Sequence, residues 1–320
     1  MPLVVASHGG ILGRPKSSAT SSFDSCWSHS RVEDVLMGWW EDRSGLAETV
    51  AVVTGGAGGL GLGATLDLAA NGVRVAVVDR DEEAVSSLRV ALDERETDSI
   101  VEIGDARDPD VLAALFDRVD QHWGRLDTLV NVVGGTFRAP FADTTPKAWS
   151  ALMRANLDHV LHATSFAIPR MRAGGRGGSI INVTSIEAHR AAPNYAVYSA
   201  AKAAVTHFGR SLAVELAADR IRVNSIAPDI TPTPNMLAMG AGTSSFTTSV
   251  GASIAIPMGR VGELSDIGNS VVFLASGLSS YITGTTLHPD GGAFASSGWF
   301  NWPGEGYSNQ VPIHLLEHLE

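Results

Sequence analysis

The run Gly55-Gly56-Ala57-Gly58-Gly59-Leu60-Gly61 is framed on one side by Thr-Val-Ala-Val-Val-Thr at 49–54. On the other it runs straight into Leu62-Gly63-Ala64-Thr65-Leu66-Asp67-Leu68-Ala69-Ala70. The first flank is short, apolar and β-branched, which reads as a strand buried in a parallel sheet. The second reads as a helix. Between them the glycines let the backbone turn tightly. They also let a pyrophosphate approach the helix N-terminus, where free N–H groups and the helix dipole favour anions. A glycine run alone also serves plain structural ends; strand, turn and helix in this order give it meaning.

A second strand at 73–78 ends at Asp79, eighteen residues past Gly61. That is near the spacing at which a carboxylate binds an adenosine ribose hydroxyl and repels a 2′-phosphate. No Lys or Arg lies within the turn, so the pattern favours NAD over NADP. Arg80 dissents; it is counted with the cofactor contacts, and it could equally pair with Asp81, Glu82 or Glu83.

Tyr198 and Lys202 stand one helical turn apart, with Ser185 thirteen residues upstream. Residues at i and i+4 share a helix face. A cation there is expected to lower the phenol pKa and let it exchange protons with an alcohol or ketone. By itself such a pair reads as a surface contact.

Periodicity predicts helices near 59–71, 82–94, 109–123, 146–172, 196–217 and 264–275. It predicts strands near 49–54, 73–78, 99–103, 127–131, 178–184, 221–226 and 284–288. Their alternation, without a linker, implies one α/β domain, a doubly wound Rossmann-type parallel sheet of about seven strands with helices on both faces. Ser185 falls just past a strand's carboxyl end, where open α/β sheets bind ligands.

Together these residues resemble the short-chain dehydrogenase/reductase family over about 49–293. Thr54-Gly55-x-x-x-Gly59-x-Gly61 is similar to its cofactor turn, and Asp105 with Ala106 to its adenine-edge aspartate. Asn131-Val132-Val133-Gly134 takes the place of its Asn-Asn-Ala-Gly strand end. Asn156, Ser185 and Tyr198-x-x-x-Lys202 match its active-site residues, Asn224-Ser225-Ile226-Ala227-Pro228 the segment after its sixth strand, and Asp290-Gly291-Gly292 its ending. The resemblance implies that Tyr198 is the acid/base and that Lys202 lowers its pKa and holds the nicotinamide ribose. It implies that Ser185 orients the substrate oxygen and that Asn156 positions a relay water. It implies cofactor contacts from Gly55, Gly58, Gly59, Leu60, Gly61, Asp79, Arg80, Asp105, Ala106, Asn131, Val132, Gly134, Tyr198, Lys202, Pro228, Thr231 and Thr233. Two departures stand out. Val132-Val133 loses a polar side chain near the cofactor, and Asp229 replaces a glycine after Pro228.

Glu187, His189, Tyr195 and Met236 are candidates to line the substrate site. His159 and His162 read as packing or surface residues. No His/Cys/Asp/Glu cluster has metal-ligand spacing, and Cys26 is expected to be inert. From 230 to 259, the family's mobile lid, the chain carries no charge. Ordinary packing under the lid would explain this; so would a small or medium apolar secondary alcohol or ketone of cyclic, steroidal or terpenoid kind. The rivals are an NADPH-dependent ketoacyl-thioester reductase and a non-catalytic NAD sensor.

A net charge of −11 argues against nucleic acid and anionic membrane surfaces. The one cysteine suits a reducing cytoplasm, and neither a bilayer span nor a signal peptide is expected. Residues 1–48 read as an N-terminal extension, flexible around Ser17–Ser22 and carrying Trp39-Trp40, either a loose tail or an arm onto a neighbouring subunit. The aromatic tail 296–320 is expected at a substrate mouth or subunit interface. The resemblance implies a homo-oligomer, a tetramer or dimer, through the helix of Tyr198.

Overall fold

The computed structural model describes residues 38–234, 236 and 248–316. The expectations for Ser17–Ser22 and Cys26 lie outside the described residues. The chain divides into units 1–42 and 43–320. Of the first unit only 38–42 are described, in the helix α1 (Trp39–Ser44).

The larger unit is built on a seven-stranded sheet in the order β3-β2-β1-β4-β5-β6-β7, parallel throughout. The strands are β1 (Val50–Thr54), β2 (Arg74–Asp79), β3 (Ser99–Ile103), β4 (Thr128–Asn131), β5 (Gly178–Val183), β6 (Ile221–Ile226) and β7 (Thr286–Leu287). β1 is buried at every residue, as its unbroken apolar run requires. Strand order reverses between β1 and β4, so their carboxyl ends part and open a crevice.

Helices cover both faces. α2 (Gly59–Ala70) packs against α9 (Leu264–Ala275), where Gly268 closes on Asp67. α3 (Glu82–Asp93) lies on β3. α4 (Pro109–Trp123) packs against α6 (His159–Gly174) around Phe116, Val119 and Met171. α7 (Ala196–Glu215) lies on β6. Among the described residues no helix is long and apolar enough to cross a membrane.

Three elements differ from the sequence expectation. The helix expected over 146–172 is α5 (Pro146–Met153), a π-helical turn at Arg154–Asp158, then α6. Asn156 sits in that turn and its Nδ2 donates back to the Leu152 carbonyl at 2.9 Å. π turns carry one extra residue and gather at functional sites. The strand expected over 284–288 shrinks to β7. Side chains replace its ladder upstream: Val223 N donates to Thr283 Oγ1 at 3.0 Å and Thr285 N to Asn224 Oδ1 at 3.1 Å. The helix expected to end at 217 ends at Glu215, and a 3-10 turn, Ala217–Asp219, follows.

Two elements were not expected. Within 230–259, α8 (Ser249–Ala255) starts at Thr248, whose hydroxyl accepts from Gly251 N. The aromatic tail folds back as a hairpin, β8 (Phe300–Trp302) with β9 (Gly306–Ser308), and β8 packs on α8. Between these two elements, α10 (Ala293–Ser296) follows the glycines of Asp290-Gly291-Gly292.

Candidate active site

The crevice begins at the glycine turn. Gly55 N donates to the Val78 carbonyl at 2.8 Å, fastening the turn to the end of β2. A Cβ on Gly61 would sit inside the Gly55 carbonyl, so no other residue fits there. Among the described residues nothing lies within 4 Å of a Cβ added to Gly58. Ala57 N donates to Asp79 Oδ2 at 3.1 Å, which sets the Asp79 carboxylate across the turn. Arg80 is exposed. Val133, where the family has alanine, packs against Gly55 and joins the apolar core, while Val132 N donates to Thr54 Oγ1.

Two cofactor candidates are otherwise engaged. The Asp105 carboxylate is gripped by the Arg107 guanidinium, whose hydrogen bonds hold it below the usual carboxylate range. Ala106 is buried beside it. Asn131 is buried and its Nδ2 donates to Asn182 Oδ1 at 2.9 Å inside the sheet. β4 points that amide into the sheet, toward β5.

At the carboxyl ends of β5 and β6 the structure gathers the four candidate catalytic residues. Ser185 caps the 3-10 turn Ile186–Ala188, its hydroxyl accepting from Glu187 N at 3.2 Å, and lies close enough to the Tyr198 phenol to favour the phenolate. Lys202 is buried, and its Nζ donates to the Val183 carbonyl at 2.9 Å. Asn156 closes the group: Nδ2 donates to the Gly135 carbonyl at 2.8 Å and Oδ1 accepts from Gly135 N at 3.2 Å.

Burial governs the electrostatics. It raises the Tyr198 pKa above its ordinary value; the Ser185 hydrogen bond opposes this and the Glu187 carboxylate reinforces it. This corrects the expectation that the i+4 cation alone would lower it. The ammonium is turned to Val183, 6.0 Å from the phenol ring centre, and desolvation of the phenolate dominates. Lys202 is itself pushed down to about 8 by burial.

The residues present fit a nicotinamide dinucleotide. The glycine turn leaves a bare face at Gly58. A Cβ added to Gly134 would meet Asn156 Oδ1 at 3.0 Å and Lys202 Nζ at 3.1 Å, so bare backbone lies beside both polar groups. Thr231 Oγ1 is buried without a hydrogen-bond partner among the described residues. Thr233 lies over Gly59 and its hydroxyl accepts from Met236 N at 3.2 Å.

Pro228 accepts from Ile186 N at 3.1 Å, tying β6's end to the Ser185 turn. A charged cluster lies next to it. Arg190 Nη2 is 2.9 Å from Glu187 Oε1 and 3.7 Å from Asp229 Oδ1. Burial pushes Asp229 up to about 6; Arg190 opposes this, while Glu187 and Asp290 add to it. His189 packs edge-on against His288 at 5.0 Å and faces Phe294, so its ring belongs to an aromatic cluster. Tyr195 is the half-buried residue preceding α7. His159 is buried and pushed down to about 3 by desolvation, as a packing residue would be. Among the described residues no group of three or more His, Cys, Asp and Glu is arranged to hold a metal ion.

The family model described as enoyl-(acyl carrier protein) reductase matches residues 55–293. The chain belongs to the short-chain dehydrogenase/reductase family. It is 33% identical over 250 residues to a 3alpha-hydroxysteroid dehydrogenase of Mediterraneibacter gnavus, covering 78% of this chain and 98% of that protein. It is 36% identical to a cis-4-hydroxycyclohexanecarboxylate dehydrogenase of Sinomonas cyclohexanicum, covering 77% and 96%. A gluconate 5-dehydrogenase of Burkholderia cenocepacia, solved in complex with NADP and tartrate, superposes with a TM-score of 0.71 at 30% identity, covering 78% and 96%. As a short-chain dehydrogenase/reductase the chain is an oxidoreductase that binds a nicotinamide dinucleotide. Sequence reading missed the π turn, Arg190, His288 and the β8–β9 hairpin, for these gain meaning only through partners distant in the chain.

Proposed function

We propose that this protein interconverts an apolar secondary alcohol and its ketone with NAD(H). The observation that carries the reading is the grouping of Ser185, Tyr198 and the buried Lys202, whose Nζ is fixed to the Val183 carbonyl, at the carboxyl edge of the parallel sheet. Tyr198 gives or takes the proton at the substrate oxygen, Ser185 orients that oxygen, and Lys202 and Asn156 support the proton path. A donor pair at an oxygen that gains charge stabilises the developing alkoxide. When bound, the nicotinamide supplies the hydride chemistry. Thr231, Thr233, Pro228 and Gly134 are assigned to its nicotinamide half; Gly55, Gly58, Gly59, Leu60, Gly61 and Asp79 to its adenosine half.

The Asp79 carboxylate across the glycine turn supports NAD. The exposed Arg80 beside it favours the second reading, an NADPH-linked ketone or ketoacyl-thioester reductase. Residues 49–295 form the catalytic domain in this reading, with 1–48 and 296–320 as extensions. Glu187, Tyr195 and Met236 border the substrate, and the enzyme works as a cytoplasmic homo-oligomer. The test is a panel of secondary alcohols with NAD and with NADP, followed by absorbance of the reduced nicotinamide. Turnover with NAD supports the proposal; tight NAD binding without turnover of any alcohol leaves a sensor.

A further inference from the structure

At the opposite edge of the sheet, where β4, β5 and β6 begin, a cavity of about 820 Å³ opens to solvent. Its size is that of small-molecule sites. The charged residues lining it are Arg125, Arg176, Arg220, Arg222 and Asp127. Four guanidiniums against one carboxylate make a local charge of +3 in a chain whose net charge is −11.

The one carboxylate is already saturated. Asp127 accepts both arms of Arg125 at 2.8 Å, Val50 N at 2.9 Å and, more distantly, Arg176 Nε at 3.5 Å. Among the described residues the Arg220 guanidinium donates to a carbonyl, Gly175 O, and to no carboxylate. Arg222 spends Nη2 on the Leu274 carbonyl at the carboxyl end of α9, and its Nη1 is buried without a hydrogen-bond partner among the described residues. Burial without a carboxylate partner lowers its pKa to about 10. A buried cation without a counter-ion is costly, and guanidinium forks match phosphate and carboxylate oxygens in pairs.

We infer that the Arg176, Arg220 and Arg222 cavity at the sheet's amino edge binds a small anion of two or more charges, carried on phosphoryl or carboxylate groups. The anion supplies the counter-charge that Asp127 does not. The site lies at the far ends of the strands whose carboxyl ends carry Ser185 and Pro228, so it is separate from the dinucleotide crevice.

The test is calorimetric titration of the full chain with pyrophosphate and, separately, with citrate, each with and without NAD. Wild type, Arg176→Glu and Arg220→Glu are compared. Arg222 is left intact because it holds the end of α9. The expected result is binding by wild type that NAD does not displace, weakened tenfold or more in each variant that retains the wild-type melting curve. Tighter binding of pyrophosphate identifies a phosphoryl ligand, and tighter binding of citrate a carboxylate one. No binding of either anion, displacement by NAD, or undiminished binding in the folded variants overturns the inference.

Discussion

Lys202 Nζ donates to the Val183 carbonyl at 2.9 Å, while the Tyr198 ring centre lies 6.0 Å away. The ammonium is thus anchored to the strand that leads to Ser185. It also lies beside Gly134, where a Cβ would meet it at 3.1 Å and Asn156 Oδ1 at 3.0 Å. The pair one turn apart on a helix acts through this shared frame.

Tyr198→Phe removes the hydroxyl beside Ser185 and little else. Turnover should fall by about 10² to 10⁴, the usual worth of an acid/base group. Dinucleotide affinity, measured by fluorescence titration, should stay within about twofold of wild type. Full activity would refute the assignment.

Lys202 carries a stability cost. Burial lowers its pKa from 10.5 to about 8, so the folded state disfavours the proton. The cost is complete below pH 8 and is relieved as the pH rises toward 10.5. Lys202→Met should therefore raise stability at pH 7 by up to about 3 kcal/mol, less about 1 kcal/mol for the lost Val183 bond. Urea unfolding measures the gain, and activity should vanish in the same variant.

Asp229 works in the opposite sense. Its pKa is raised from 3.8 to about 6, so the folded state prefers the proton. That preference stabilises the protein below about pH 4 and is lost as pH climbs through 6. Asp229→Asn should be more stable than wild type at pH 8, by up to about 3 kcal/mol before the loss of the Arg190 contact, with the gap closing near pH 4. Thermal melts at both values check this. A gap that did not change with pH would count against the buried-carboxyl account.

Asp79→Ala should narrow the preference for NAD over NADP by about tenfold or more, since a like charge facing a 2′-phosphate costs several kcal/mol. Competition binding with the two dinucleotides reads this out. An unchanged ratio would mean that Arg80 or another group sets the choice.

Removing 297–320 strips β8 from α8. If α8 belongs to the proposed substrate lid, KM for the alcohol should rise severalfold while dinucleotide affinity holds. Unaltered kinetics would show that the hairpin does not shape the substrate site.

Much of this was legible in the chain itself. A short β-branched run such as 49–54, followed at once by glycines, suits a strand covered on both faces, and glycines placed where a Cβ has no room, as at Gly61, mark the turn. Ser185, Tyr198 and Lys202 stood out because their order and spacing resemble a family pattern; the spacing alone says only that Tyr198 and Lys202 share a helix face. Where the Asn131 amide points was not legible, because the face on which a strand-end amide emerges depends on the neighbouring strand's Asn182. The tail hairpin was missed because three-residue strands carry no measurable period.

The sequence alone determined the alternating elements, the glycine turn and the residue types able to exchange a proton, because short-range sterics and hydrophobic periodicity set these. The tertiary structure decided which groups share one environment. It turned Lys202 toward Val183, raised the Tyr198 pKa through burial, placed Asp229 against Arg190 and collected four arginines around one aspartate. Desolvation and long-range pairing act only once distant segments close on one another, so no local pattern could carry them.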